Sequence, residues 1–285
     1  MFFKKVIFLS FSFLFLQVCV STAQKAQTQP APKKIAKKDL SKTPWSGINA
    51  LSIDDDIKLG LQTKQEINSK PKEYPLLPEK GNEQIYSYVR GIAKTILEKG
   101  NVEYKDKFAW EVHIIKDDKT LNAFCTPGGY IYVYTGLIKF LDSEDQLAGV
   151  LGHEMAHAAR RHSTRQLTKM MGVQEVLKLL GTSKTSKMVE NLAATIVGLK
   201  FSRTHETEAD EFSVRYLCRS GYNAAGAAGF FKKIEGKGGT PPAFISTHPN
   251  PKNRVQEIQN NAVAYSCTGT NTNNAQYAKM KGLLQ

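Results

Sequence analysis

The spacing of apolar positions changes character several times along this chain. Residues 6–20 are an almost unbroken apolar run, and residues 24–47, rich in Gln, Pro, Ala and Lys, offer little to bury. From about 50 to 68, Ile53, Ile57, Leu61 and Ile67 predict a helix with one apolar side. Ser52 is placed to cap it, and Asp54, Asp55 and Asp56 suit its first turn. Pro71, Pro75 and Pro78 mark an extended crossing. A second helix follows over 82–99, with Ile85, Val89, Ile92, Ile96 and Leu97 for packing and Gly100 as its stop. The period then shortens. Trp110, Val112, Ile114 and Ile115 predict a strand over 108–116, and Asn122–Thr126 a short edge segment. Pro127-Gly128-Gly129 is a turn, and Tyr130–Thr135 is aromatic and β-branched.

Helical spacing returns after residue 136. Ser143 is a natural N-cap for a helix running to about 163, and further helices are predicted over 166–180, 186–197, from about 206 to just before Gly221, over 224–235 and over 254–264. Pro241, Pro242, Pro249 and Pro251 mark a loop, and the polar stretch 268–285 is expected to pack poorly. Neither strand–helix alternation nor a Gly-rich phosphate loop points to a doubly wound nucleotide-binding fold. The expected class is therefore α+β: mainly helical with a small mixed or antiparallel sheet, forming one domain over 48–264 and a polar tail over 265–285.

The charge balance is +13, from 39 Lys and Arg against 26 Asp and Glu. Such an excess is read first as solubility plus export signals, and second as suiting an acidic membrane surface or nucleic acid. No zinc-finger spacing or compact Arg-aromatic motif accompanies it, so no nucleic acid is expected. Part of the charge lies at the N-terminus. Lys4 and Lys5, the apolar run and Ser21-Thr22-Ala23 together have the form of a signal peptide over 1–23, with 24–47 as a flexible linker. The chain is thus expected to be exported to a periplasm-type compartment. Leu16-Gln17-Val18-Cys19 resembles a lipobox, although Val18 is bulky, and makes a lipoprotein anchored through Cys19 the alternative. Cleavage after Ala23 leaves Cys125, Cys218 and Cys267, an odd count. Cys218–Cys267 is the most attractive bridge, because it would pin the tail to a helix; the other pairings remain open.

The chemistry concentrates at His153-Glu154-Met155-Ala156-His157. At 3.6 residues per turn, His153 and His157 lie about 40° apart on one helical face, where both imidazoles can reach one zinc ion, and Glu154 can bend over it. A third protein ligand must come from elsewhere. The extension that supplies one in some zinc proteases would need glycine and histidine where Arg160 and Ser163 stand. His162 would face about 180° from His153 on a straight helix. The later cluster Glu206-Thr207-Glu208-Ala209-Asp210 is the better source. Glu206 and Asp210 share a face at i,i+4 spacing, so one can bind zinc while the other accepts an imidazole hydrogen bond. Glu208, on another face, is the competing ligand.

These residues, with Phe201-Ser202-Arg203-Thr204-His205 before the acidic cluster, resemble the M48 family of zinc metallopeptidases. Asn122-Ala123-Phe124, Pro127-Gly128-Gly129-Tyr130-Ile131-Tyr132-Val133, and Ser246-Thr247-His248-Pro249 with Arg254 extend the resemblance over about 50–262. It implies a zincin-like, gluzincin-type domain with the sheet beside the active-site helix. It implies one catalytic Zn2+ held by His153, His157 and Glu206, with Glu154 as general base and Asp210 supporting a ligating histidine. By the same resemblance His248 approaches the metal, and Asn122, Ala123 and Phe124 form a strand that holds unfolded or extended protein substrates. The multipass membrane segments of some members are missing from this sequence, as is room for the helical-repeat domain of others. Zinc-dependent hydrolysis of exported or membrane-associated proteins, in envelope quality control, is the function implied. A latent enzyme or a non-catalytic zinc-binding, chaperone-like module is the alternative.

Overall fold

The computed structural model describes residues 49–179, 191–235, 242–249 and 253–284. The predicted signal peptide over 1–23, the linker over 24–47, Cys19 and the start of the helix expected over 186–197 lie outside the described residues.

Helix α1 (Ile53–Ser69) starts with a reciprocal cap: Ser52 accepts from the Asp55 backbone N–H, and the Asp55 side chain accepts from the Ser52 backbone N–H. Helix α2 (Glu83–Lys99) buries Ile85, Val89, Ile92 and Ile96 along one side. The strands β1 (Glu111–Ile115), β2 (Ala123–Thr126) and β3 (Tyr130–Tyr134) form a mixed sheet in the order β1-β3-β2. β1 runs parallel to β3, with Glu111 opposite Tyr130; β2 runs antiparallel to it, with Ala123 opposite Val133. The turn joining β2 to β3 places Gly128 at φ 74° and Gly129 at φ 85°. A side chain would be strained at both positions, which explains the glycine pair.

The remaining described helices are α3 (Thr135–Phe140), α4 (Glu144–Ala159), α5 (His162–Met171), α6 (Val173–Lys178), α7 (Leu192–Val197), α8 (Arg203–Leu217), α9 (Gly226–Glu235), α10 (Ala243–Thr247), α11 (Arg254–Ala264) and α12 (Asn274–Lys281). Helix α4 is the central element. All of its residues except Gln146 are buried, as expected of a helix enclosed on every side. It packs against α8, α9, α2 and β2. Gly149 and Gly226 permit the close approach to α9: a Cβ at Gly149 would lie 2.3 Å from the backbone nitrogen of Ala227, and one at Gly226 2.0 Å from the Asp145 carbonyl oxygen.

Three expectations change. The helix predicted to reach 163 ends at Ala159, and Arg161 turns the chain with a left-handed φ of 59°. That conformation is costly for a side-chain-bearing residue. It is held by the Arg161 guanidinium, which donates to Asp56 at 2.5 Å and to the carbonyls of Leu51 and Ser52 at 2.5 and 2.9 Å. The helix predicted over 166–180 is broken at Gly172, whose φ is 82°. The tail does pack: Tyr277 and Met280 of α12 enter the main core, and the Tyr277 hydroxyl donates to the Ile138 carbonyl at 2.7 Å. Two large apolar side chains three residues apart on one helical face suffice, which a polar average composition conceals.

Cys218 and Cys267 are joined in a disulfide that ties the end of α8 to the segment after α11. Cys125 is a buried free thiol. Among the described residues, no helix is long and apolar enough to cross a membrane.

Candidate metal centre

Helices α4 and α8 pack along each other, and their i,i+4 pairs meet. The Nε2 atoms of His153 and His157 stand 3.0 Å apart. Glu206 brings Oε2 to 3.4 Å from His153 Nε2 and Oε1 to 3.4 Å from His157 Nε2. His248, just past α10, places Nδ1 3.2 Å from Glu206 Oε1 and 3.4 Å from His153 Nε2. One donor atom from each of the four residues lies within 4.8 Å of all the others, and all four residues are buried. The group can therefore hold a metal ion. Its donor chemistry, imidazole nitrogens with a carboxylate, suits zinc. Both α4 histidines turn Nε2 inward while Nδ1 is engaged on the outer side, so Nε2 is the atom each would present to a metal.

The outer sides differ. His153 Nδ1 is 2.9 Å from Asp210 Oδ1. Asp210 is gripped in turn by Arg254, which donates from Nη2 to Oδ1 at 2.7 Å and lies 2.7 Å from Oδ2 through Nε. Arg254 Nη2 also donates to Glu206 Oε2 at 3.1 Å, and its guanidinium lies over the Phe231 ring at 3.7 Å. His157 Nδ1 instead meets His162 Nδ1 at 3.0 Å. The straight-helix expectation for His162 therefore fails: the left-handed turn at Arg161 brings the ring back beside His157. Glu208, the competing ligand, is also relocated. It is bound by Arg160 Nε at 2.6 Å and lies 3.1 Å from His162 Nε2, on the far side of His157 from the cluster. Arg254 and His162 are the residues in contact with the cluster that spacing alone did not find. The sequence signal for Arg254 was the family resemblance of the Ser246–Pro249 segment, which extends to it.

Glu154 is buried beside this group, and neither carboxylate oxygen has a hydrogen-bond partner. The nearest ring nitrogen, His248 Nε2, is 3.6 Å from Oε1. Burial pushes the Glu154 carboxyl above the usual range, against the pull of His248 and His153. Glu206 behaves oppositely. Burial works against its charge, yet His248, His153 and His157 hold it well below the ordinary carboxylate value. For His153, burial opposes protonation, but Asp210 and Glu206 raise the pKa to about 9. His157 is driven well below its ordinary value by burial.

The cluster is enclosed by aromatic rings. Phe201 stacks on His157 with centroids 4.0 Å apart, Phe244 stacks on His248 at 4.2 Å, and the Phe201 N–H donates to the Thr247 carbonyl at 3.0 Å. The expected substrate strand lies at the edge of the sheet, and β2 packs against α4. Asn122 accepts from the Tyr134 N–H through its carbonyl and from the Ala123 N–H through its side chain. Ala123 is in the core, and Phe124 stacks on Tyr132 with centroids 4.7 Å apart. Leu121, just before this segment, accepts from the Phe244 N–H at 3.1 Å, which links the sheet edge to the helix preceding His248.

The family model described as Peptidase family M48 matches residues 82–262. The mitochondrial metalloendopeptidase OMA1 of Schizosaccharomyces pombe is 30% identical over 216 residues, covering 74% of this chain and 62% of that protein. OMA1 of Arabidopsis thaliana is 34% identical over 147 residues, covering 51% of this chain and 30% of the relative. The beta-barrel assembly-enhancing protease of Yersinia pestis is 26% identical over 230 residues, covering 74% and 45%. The chain thus spans less than two thirds of each of these relatives.

Proposed function

The chain belongs to peptidase family M48 and is a metalloprotease, and from that premise we propose that it is a zinc-dependent endopeptidase that cuts exported or membrane-associated proteins in envelope quality control. The observation that carries this reading is the convergence of His153, His157 and Glu206 on one buried point, with the Glu154 carboxylate, which has no hydrogen-bond partner, beside it.

In this reading His153, His157 and Glu206 hold the zinc. When bound, the ion supplies Lewis acidity toward the scissile carbonyl and toward a water molecule. Glu154 takes the proton from the attacking water and passes one to the leaving amine. Its raised pKa, caused first by burial, suits a group that must alternately accept and release a proton. Asp210 accepts from His153 Nδ1–H and keeps the Nε2 lone pair turned inward. Asn122–Phe124 lies at the edge strand β2 and is buried here; once uncovered, its main chain would hold an extended polypeptide as a further strand. Unfolded segments are the substrates that such an edge admits.

The basic, apolar and small-residue pattern over 1–23 supports export, with lipid attachment at Cys19 as the alternative. The Cys218–Cys267 disulfide supports an oxidising compartment. The excess of basic residues favours association with an acidic membrane surface.

A second reading, a latent enzyme, is favoured by one observation: His248 lies within reach of the same point as the three ligands, and the whole group is buried. The test is cleavage of a chemically unfolded protein by wild type and His248→Ala, each as prepared, after chelation, and after zinc return. Cleavage abolished by chelator and restored by zinc is expected, with higher activity in His248→Ala if His248 blocks the site. Cleavage untouched by complete zinc removal would overturn the metallopeptidase assignment for this site.

A further inference from the structure

The two α4 imidazoles are supported in different ways. His153 rests directly on a carboxylate, with Nδ1 2.9 Å from Asp210. His157 has no carboxylate at Nδ1; it has a second imidazole, His162, at 3.0 Å. His162 is fully buried, and its other nitrogen, Nε2, lies 3.1 Å from Glu208 Oε2. Glu208 is itself buried, and is fixed by Arg160 at 2.6 Å, with Arg165 at 3.6 Å.

Donor and acceptor counting leaves one consistent arrangement. An imidazole that offers the Nε2 lone pair to a metal carries its proton on Nδ1. His157 Nδ1–H must then donate, and the acceptor at that distance is His162 Nδ1. His162 is therefore protonated on Nε2, and that N–H points at the Glu208 carboxylate, which can only accept. Glu208 thus sets the tautomer of His162, and His162 sets that of His157. The stack of His162 on His205, 4.5 Å between centroids and 18° from parallel, holds the relaying ring in its plane.

We propose that His162 and Glu208 are positioning residues for the metal centre: a relay that stands to His157 as Asp210 stands to His153, made possible by the turn at Arg161. This rests on the assignment of His157 as a ligand. It makes Glu208 a determinant of metal affinity without being a ligand, and it gives His162, the first histidine after the His153–His157 pair, a role that its straight-helix position denies it.

The test uses three variants of the full chain. His162→Phe keeps a ring against His205 and Phe201 but deletes both hydrogen bonds. His162→Gln keeps an acceptor for His157 and a donor for Glu208. Glu208→Leu removes the terminal acceptor. Two quantities are read: Co2+ affinity by competition with a chelator, and the tautomer of His157 from imidazole nitrogen shifts in chelator-treated protein. Affinity lower by about tenfold to a hundredfold is expected for His162→Phe and Glu208→Leu, with His157 losing its Nδ1-protonated signature and His162→Gln restoring most of both. Unchanged Co2+ affinity together with an unchanged His157 tautomer in His162→Phe and in Glu208→Leu would overturn the relay. If one of these does not fold, the other decides. Wild-type protein that binds no Co2+ would instead defeat the ligand assignment on which the relay rests.

Discussion

Arg254 is the residue whose loss should reach furthest through the site. It is fully buried, stacked on Phe231, and bonded to both Glu206 and Asp210. Replacing it with methionine would strip two buried carboxylates within one helical turn of the guanidinium that bonds both. Removing one partner of a buried ion pair costs about 3–5 kcal/mol. Urea unfolding of Arg254→Met is expected to show a loss of that order together with weakened zinc retention, and a variant with wild-type stability and zinc content would contradict this role. The contrast with His153, His157, Glu206 and Asp210 shows what a sequence makes legible at this scale. Those four lie on two helices, and helical spacing alone puts each pair on one face. Arg254 and His162 depend on where a third helix docks and on one left-handed residue, Arg161. Neither is encoded in a local period. Glu208 was visible as a carboxylate but not as a relay, because His162 reaches it only after that turn.

At the scale of elements, α4 must lie against α9 at backbone distance to bring His153 and His157 to their places. Gly149 is the contact: an added Cβ would meet the Ala227 nitrogen at 2.3 Å and its Cα at 2.7 Å, backbone atoms that cannot rotate away. Gly149→Ala is therefore expected to destabilise the fold despite alanine's better helix propensity, by about 1–3 kcal/mol as for other overpacked cores. Thermal unfolding measures it, and a raised midpoint would show that α4 and α9 are less tightly apposed. Elements with a sustained period were readable: α1 and α2 begin and end within a few residues of expectation, and α11 spans Arg254–Ala264 as predicted. The breaks at Arg161 and Gly172 were not, since a glycine or arginine inside a helical pattern does not by itself announce a left-handed residue. Helix α12 was hidden because its packing rests on Tyr277 and Met280 within an otherwise polar stretch.

For the whole molecule, the buried histidines make stability depend on pH. Burial, and then Arg165, depress His205 to about 4, and burial and His157 hold His162 well below its ordinary value. The unfolded chain takes up these protons near pH 6.5, while the folded chain refuses them, so the unfolded state binds more protons and stability falls as pH drops below about 6.5. For His205 the loss continues to about pH 4. His153, raised to about 9, acts in the other direction and only between about 6.5 and 9, outside this window. Urea midpoints at pH 7 and pH 5 should therefore diverge in wild type and diverge less in His205→Phe, which removes a titrating ring whose Nδ1 has no partner. An equal acid loss in both would show that His205 is not a source of the dependence. In the proposed mechanism the buried centre depends on Glu154 to move the proton. Its most direct test compares Glu154 with Glu154→Gln, in whichever of the wild-type and His248→Ala backgrounds is more active, on an unfolded protein substrate with zinc content measured in the same samples. Equal zinc with cleavage reduced by about a hundredfold or more is predicted; equal zinc with equal cleavage would contradict it.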